Sequence, residues 1–484
     1  MDNHSTTVKH HPQLTERGMF IGITRFHIAV AIAGALGGLL EGFDAGVISG
    51  ALLFLKKTFA LTRVLQEIAV TSVLVGALIG AIIAGPLSNA IGRRRVMLLG
   101  AVIFAVFALT SAIAPTLPLF LFSRFVIGIA VGLVSVVGSL YVSELVPPAV
   151  RGILVAGFQI ALSFGLTAAY WVDYSFARFD HGNWHAMFAV GIIPAVAMLV
   201  IVWMLPDTPR WHMMRGRPIM AAQIMNVVEP DPARREEDLA TMETELKQER
   251  GRFSEFFQNS GLRQSLWFGI GLGLIQQLTG INIVVYYSPI LFQMAGLQTP
   301  STAILVTAVI GVVTLIATIS IIFFVDRVGR KPSLLVSLAG ISFAMLMLGI
   351  LFAVKSFVPT QDMGVAAFII ILLYHIFFAF GVGPLFWVYV AEIYPLRFRG
   401  IGTSTSHTVA WAGNIVVSMT FLSLVKALGA VGTFTIYTII CILAFFFIWG
   451  WAPETRGHRL EDMMYYWTHQ RQWPNNTIQA EQTE

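Results

Sequence analysis

About a dozen apolar runs of roughly twenty residues follow one another along this chain, separated by short charged or glycine- and proline-bearing segments. A helix of that length crosses a hydrocarbon core of about 30 Å. The runs place spans near 28–50, 67–91, 96–114, 118–144, 152–174 and 184–205, and then near 266–293, 301–325, 333–354, 364–391, 400–425 and 431–452. The predicted fold class is an all-α polytopic membrane protein with about twelve transmembrane helices in two six-helix bundles. Composition excludes the alternatives. Hydrophobic residues make up 56% of the 484 and charged residues 12%, against about 25% charged in a soluble domain. So much Leu, Ile, Val and Phe also excludes disorder. A single cysteine, Cys441, cannot build a disulfide framework. The 43 glycines suit close helix packing in lipid. The net charge of +5 does not point to nucleic acid, because many of the basic residues sit between apolar runs, where they orient helices in the bilayer.

The organisation expected is an N-terminal segment (1–27), a first bundle (28–205), a linker (206–264), a second bundle (265–453) and a tail (454–484). The linker carries 19 of the 57 charged side chains (31 basic, 26 acidic) and reads as short surface helices. No cleavable signal is expected, since residues 1–25 have no apolar core. Arg93 to Arg95, Arg151, Arg327, Arg330, Lys331, Arg397 and Arg399 fall in loops on one side, which positive-inside bias makes the cytoplasm, and an even number of spans puts both termini there. Lys56, Lys57 and Arg63 are an exception on the other side.

The two halves repeat each other. Gly85 to Arg94 is echoed by Asp326 to Lys331; Ser143-Glu144 with Pro147, Arg151 and Gly152 by Ala391-Glu392 with Pro395, Arg399 and Gly400; and Pro206-Asp207-Thr208 by Pro453-Glu454-Thr455. The offsets are 237, 248 and 247 residues. Two parallel repeats with a substrate site between them, near the midplane, are the architecture of an alternating-access transporter. With Gly42-Phe43-Asp44 through Gly50, Pro206 to Arg210, Gln276-Gln277 to Asn282 with Tyr286-Tyr287, Gly381 to Trp387, and Pro453 to Gly457, these motifs resemble, in order and over nearly the whole chain, the sugar porter family of the major facilitator superfamily.

Asp44 lies inside the first span, where a carboxylate is expensive and marks function. Arg124 in the fourth span is its natural partner. An Asp–Arg pair that is alternately made and broken would bind and release a proton; the competing reading is a static salt bridge. The resemblance implies an acid at the Asp44 position in proton-coupled members. Glu41 lies one turn earlier and is grouped with Asp44 and Arg124 as proton-coupling; the resemblance implies an aromatic there, and a second acid at this place could share the proton, contact a hydroxyl or point toward a wetter end. Gln276, Gln277 and Asn282 put three amides in seven residues, costly in lipid unless they line a cavity, and Gln159 adds a fourth. Amides donate and accept, and Trp387 and Trp411 offer faces to a sugar ring. The resemblance makes these the substrate positions, adds Phe378 and Gly383, and makes Tyr286 a gate element. Gly383-Pro384 is the expected bend of span 10. The resemblance also implies a cytoplasmic latch of Arg93, Arg94, Glu144, Arg151, Asp326, Arg330, Glu392 and Arg399. Departures from the family pattern are Asn89, His185, Leu166, Thr314 and Ala410, the last three removing hydrogen-bonding groups. His375 and His407 read as packed histidines.

The function expected is import of a monosaccharide or a cyclitol such as myo-inositol by proton symport; the alternatives are a facilitative uniporter and a non-transporting sugar sensor. No enzyme motif, metal site or cofactor is read, the proton being the coupling ion. The expected partners are a small sugar or polyol and the lipid bilayer, without nucleic acid, and the expected working unit is a monomer.

Overall fold

The computed structural model describes residues 24–178, 182–247, 252–357, 363–456, 462–469 and 471–473; the expected segment before Thr24 and the tail beyond Trp473 lie outside them. The first bundle comprises α1 (Arg25–Thr58), α2 (Arg63–Ile91), α3 (Arg93–Ala112), α4 (Leu117–Leu145), α5 (Pro148–Arg178) and α6 (Trp184–Met204). The second comprises α7 (Ser260–Ala295), α8 (Pro300–Val328), α9 (Arg330–Phe357), α10 (Met363–Glu392), α11 (399–428) and α12 (430–451). Helices α11 and α12 form one continuous helical stretch folded at Gly429, whose φ of +71° suits a residue without Cβ.

Glycine spacing decides how the first bundle closes. Gly38, Gly42, Gly46 and Gly50 recur every four residues on α1 and face α5. A Cβ at Gly42 would stand 1.9 Å from the Leu162 carbonyl oxygen, and one at Gly38 2.3 Å from that of Phe158. Helices α2 and α4 interlock in the same way: Gly76 and Gly80 meet the carbonyls of Phe125 and Ile129, and Gly128 and Gly132 meet those of Val73 and Ala77. Without a hydrophobic drive between helices in lipid, close backbone approach supplies the packing energy.

Two spans are interrupted where they pass the centre. In α7 the break is at Thr279-Gly280, with Gly280 left-handed (φ +91°) at the start of the second half. In α10 the break is at Gly381 rather than at Gly383-Pro384. The Val382 N–H turns to Ser337 Oγ (3.1 Å), and a Cβ at Gly381 would collide with the Ser337 side chain. Pro384 thereby falls in the first turn of the new helix, where a backbone N–H has no intrahelical acceptor to lose.

The linker forms surface helices at Pro209–Met214, Pro218–Val228, Pro232–Lys247 and Glu255–Gln258. They dock on the arginine-rich end of the bundles: His27 Nε2 meets the Val228 carbonyl at 2.9 Å, Trp211 Nε1 donates to the Asn89 carbonyl at 3.2 Å, and Arg397 pairs with Glu255 at 3.2 Å. A further helix, Asp462–Thr468, packs beside them through Trp467, whose Nε1 donates to the Ile393 carbonyl (2.9 Å).

Candidate functional site

At the arginine-rich end the repeated motifs build the same cluster twice. In the first half Asp207 accepts from the backbone N–H of Arg93 (3.0 Å) and Arg94 (3.4 Å), capping α3. In the second half Glu454 accepts from the N–H of Arg330 and Lys331, both at 3.0 Å, capping α9. A carboxylate at a helix N-terminus meets unpaired donors and the positive end of the dipole. The turn before each helix is a glycine of positive φ, Gly92 (+103°) and Gly329 (+99°), which lets the acid approach. Arg93 pairs with Glu144 (3.0 Å) and Arg330 with Glu392 (3.6 Å). Thr208 and Thr455 each donate to that glutamate at 2.6 Å, and Tyr141 and Tyr389 donate to the Pro206 and Pro453 carbonyls (2.6 and 2.8 Å).

Each of these two ion pairs lies inside its own bundle and ties helix ends within that half in this conformation. Arg94 turns to the Val202 and Trp203 carbonyls at the end of α6 (3.2 and 2.5 Å), and Arg399 opens α11. The side chains of Arg151 and Asp326 lie outside the described residues.

Between the bundles is a cavity of about 210 Å³. Every expected substrate position reaches its wall: Gln159 from α5; Gln276, Gln277, Asn282 and Tyr286 from α7; Phe378, Gly383 and Trp387 from α10; and Trp411 from α11. The amides form a chain around the α7 break. Asn282 Nδ2 donates to Gln277 Oε1, and Gln277 Nε2 donates to Gln276 Oε1 at 2.5 Å. The Gly280 turn is what brings Asn282 back over Gln277. His375 and His407 also line the cavity. Trp387, 44% exposed, lies with its ring centroid 4.6 Å from that of His407.

Glu41 and Asp44 share this wall, one turn apart on α1. Arg124 stands behind it, fully buried: its Nη1 donates to Asp44 Oδ1, and its guanidinium lies 5.5 Å from the Phe188 ring centroid. Glu41 accepts from Ser135 Oγ on α4.

Sequence reasoning missed several polar groups. Asn414, Ser163 and Thr318 line the same cavity. Asn414 lies one turn beyond Trp411, so helical spacing on α11 was the available signal. Glu67 on α2 is 1% exposed and accepts from Ser423 of α11 through both oxygens, from the backbone N–H at 2.7 Å and from Oγ at 2.6 Å. Asp173 on α5, fully buried, accepts from the Gly50 N–H at 3.0 Å. Besides Glu67–Ser423, contacts between the bundles include Ser163 to Thr318 (3.3 Å), Thr167 to the Gly311 carbonyl (2.9 Å) and Tyr170 to the Val285 carbonyl (2.9 Å); the Asp173–Gly50 bond lies within the first. These bonds run from mid-bundle to the end opposite the arginine-rich loops.

The model of the sugar (and other) transporter family matches residues 30–467. The arabinose-proton symporter of Escherichia coli K12 is 35% identical over 439 residues, which cover 90% of this chain and 92% of that protein. The glucose transporter GlcP of Staphylococcus epidermidis is 36% identical over 445 residues, covering 90% and 96%. Among solved structures, the partially occluded inward open xylose transporter XylE from E. coli superposes with a TM-score of 0.78 at 30% identity, over 90% of this chain and all of that one. Twelve spans in two repeated bundles, an amide-lined cavity between them and these likenesses agree: the chain belongs to the sugar transporter family of the major facilitator superfamily.

Proposed function

We propose that the protein imports a monosaccharide or a cyclitol together with a proton, by alternating access of the central cavity to the two sides of a cell membrane. The observation that carries the reading is the Asp44–Arg124 pair, buried directly behind a wall of amides and two indoles. Amides and indoles suit a polyol, whose hydroxyls need directional partners and whose C–H faces need a flat apolar surface. A buried ion pair gains little net stability, and a carboxylate beside it at mid-membrane is by default functional. Breaking the pair would leave Asp44 uncompensated and favour its protonation; making it would release the proton. Relatives named as arabinose- and galactose-proton symporters support the coupling.

The bonds between bundles at the end away from the arginine-rich loops fit a carrier closed on that side. Positive-inside bias makes that side external and puts both termini in the cytoplasm. In the opposite conformation the clusters around Arg93 and Arg330 would meet across the interface and act as the latch. The test is uptake into proteoliposomes under an imposed pH gradient. Radiolabelled substrate should accumulate above equilibrium and be released by a protonophore. Equilibration without accumulation would leave facilitated diffusion.

A further inference from the structure

Asp44 has Arg124 to answer its charge, and Glu67 has two donors from Ser423. Asp173 has neither. It is fully buried on α5, five residues before that helix ends, on the side away from the arginine-rich loops. Its Oδ2 accepts from the Gly50 N–H of α1 at 3.0 Å, and its Oδ1 has no hydrogen-bond partner among the described residues. The place is shaped for this side chain: a Cβ at Gly50 would stand 2.5 Å from Oδ2 and 2.7 Å from the Asp173 Cβ. No cation lies against the carboxyl among the described residues. On α5 itself Tyr170 donates to the Val285 carbonyl, while Arg178 is exposed and lies 6.0 Å from the Tyr174 ring centroid. On α1, Lys56 and Lys57 are exposed, six and seven residues beyond Gly50. Arg124 of α4 is engaged by Asp44, and His185 of α6 is exposed and meets the Ala112 carbonyl. Helix α7 brings the phenols Tyr286 and Tyr287, and α8 has no titratable side chain before Asp326.

An ionised carboxylate here would bear the cost of a buried, unpaired charge; the protonated acid avoids it. Almost one turn earlier, Tyr170 makes one of the bonds that join the bundles at this end. When the bundles part there, that bond breaks and water reaches the α5 wall. A hydrated aspartate is ionised near neutral pH, its ordinary value being about 3.9. We propose that Asp173 is a second proton-binding site, separate from Asp44, and that its proton holds the external end closed. The proton is taken from the outside on closing and returned to the same side on opening. It therefore adds nothing to the number of protons carried with each substrate, and makes opening depend on external pH. This rests on the alternating opening of the transport reading above, and not on the coupling role of Asp44. The closed form binds one proton more than the open form, so lowering the pH by one unit should raise the closed-to-open ratio by up to about tenfold. Protonating Glu67 would act with the opposite sign, because the clasp to Ser423 needs its acceptor oxygens.

The test is double electron–electron resonance between spin labels at Val64 on α2 and Leu428 on α11, both exposed, in the full-length Asp44→Asn protein, where the coupling proton no longer contributes. Acidification from mildly alkaline to mildly acidic pH should shift the population toward short distances. Adding Asp173→Asn, a neutral carboxamide of the same shape, should remove that response and leave short distances throughout. Asp173→Ser, also neutral, should abolish the response as well, and serves if Asp173→Asn does not fold. Infrared difference spectra of wild type against Asp173→Asn at neutral pH should show the C=O stretch of a protonated carboxyl only in wild type. A response to acid of the same size in the Asp173 variants would overturn the proposal, as would opening on acidification in the parent or a difference spectrum without that band. Distances that stay short in the parent at every pH, with the infrared band present, would overturn it through a failure of alternating opening, which separates that failure from a misassigned proton.

Discussion

Glu67 and Ser423 hold the two bundles together at the end opposite the arginine-rich loops, and removing that clasp should open it. Both oxygens of a 1%-exposed carboxylate are used, at 2.7 and 2.6 Å. A hydrogen bond to a charged group contributes about 1.5–3 kcal/mol. Glu67→Gln keeps one acceptor oxygen and turns an amide NH2 toward a donor, so at least one bond is lost. When the bundles separate at this end, Glu67 meets water and the substitution costs little. The closed conformation should therefore lose about 2 kcal/mol relative to the open one, roughly a thirtyfold shift in their ratio. Spin labels at Val64 and Leu428, both more than half exposed, report the separation of α2 and α11 by double electron–electron resonance. The long-distance population should rise strongly in Glu67→Gln and less in Ser423→Ala, which keeps the backbone N–H. Unchanged distance distributions in Glu67→Gln would refute the clasp.

Gly42→Val places a Cβ 1.9 Å from the Leu162 carbonyl oxygen and should cost about 3 kcal/mol or more. Gly85→Ala, with nothing within 4 Å of the new Cβ, should be near neutral; thermal unfolding in detergent compares the two. Asp207→Ala removes the cap of α3 and should lower stability by about 1 kcal/mol or more, while Asp207→Asn, which keeps an acceptor, should lose less. His212, in the linker helix Pro209–Met214, has its imidazole pKa pushed down by burial, with Arg217 adding to the effect and Asp207 opposing it. Its neutral form is native, so its share of stability is intact above the ordinary value near 6.5 and declines as pH falls below it. Thermal unfolding against pH should show that decline, and His212→Asn should flatten it.

Span placement was legible because apolar length is a one-dimensional property. The duplicated motifs were legible because each half repeats the same cap, pair and tyrosine bond. The cavity residues were legible through their chemistry: amides and a paired acid inside apolar runs have few other reasons to be there. What was not legible is three-dimensional. Nothing in Gly381 to Pro384 says which residue breaks the helix; Ser337, forty-odd residues earlier, decides it by accepting the Val382 N–H. Glu67 and Asp173 sit near span ends, where an acid looks solvated, and only the facing Ser423 and Gly50 reveal them as buried. For the cytoplasmic latch residues, the sequence does not say which pairs form within or between the bundles. Here Arg93–Glu144 and Arg330–Glu392 bond within them.

The central claim is that the Asp44 carboxylate couples substrate movement to a proton. Asp44→Asn removes the titrating group and leaves the amide wall in place. Reconstituted side by side with wild type, the variant should retain equilibrium exchange of labelled substrate and lose accumulation driven by a pH gradient. Accumulation against a gradient persisting in Asp44→Asn at the wild-type level would contradict the account.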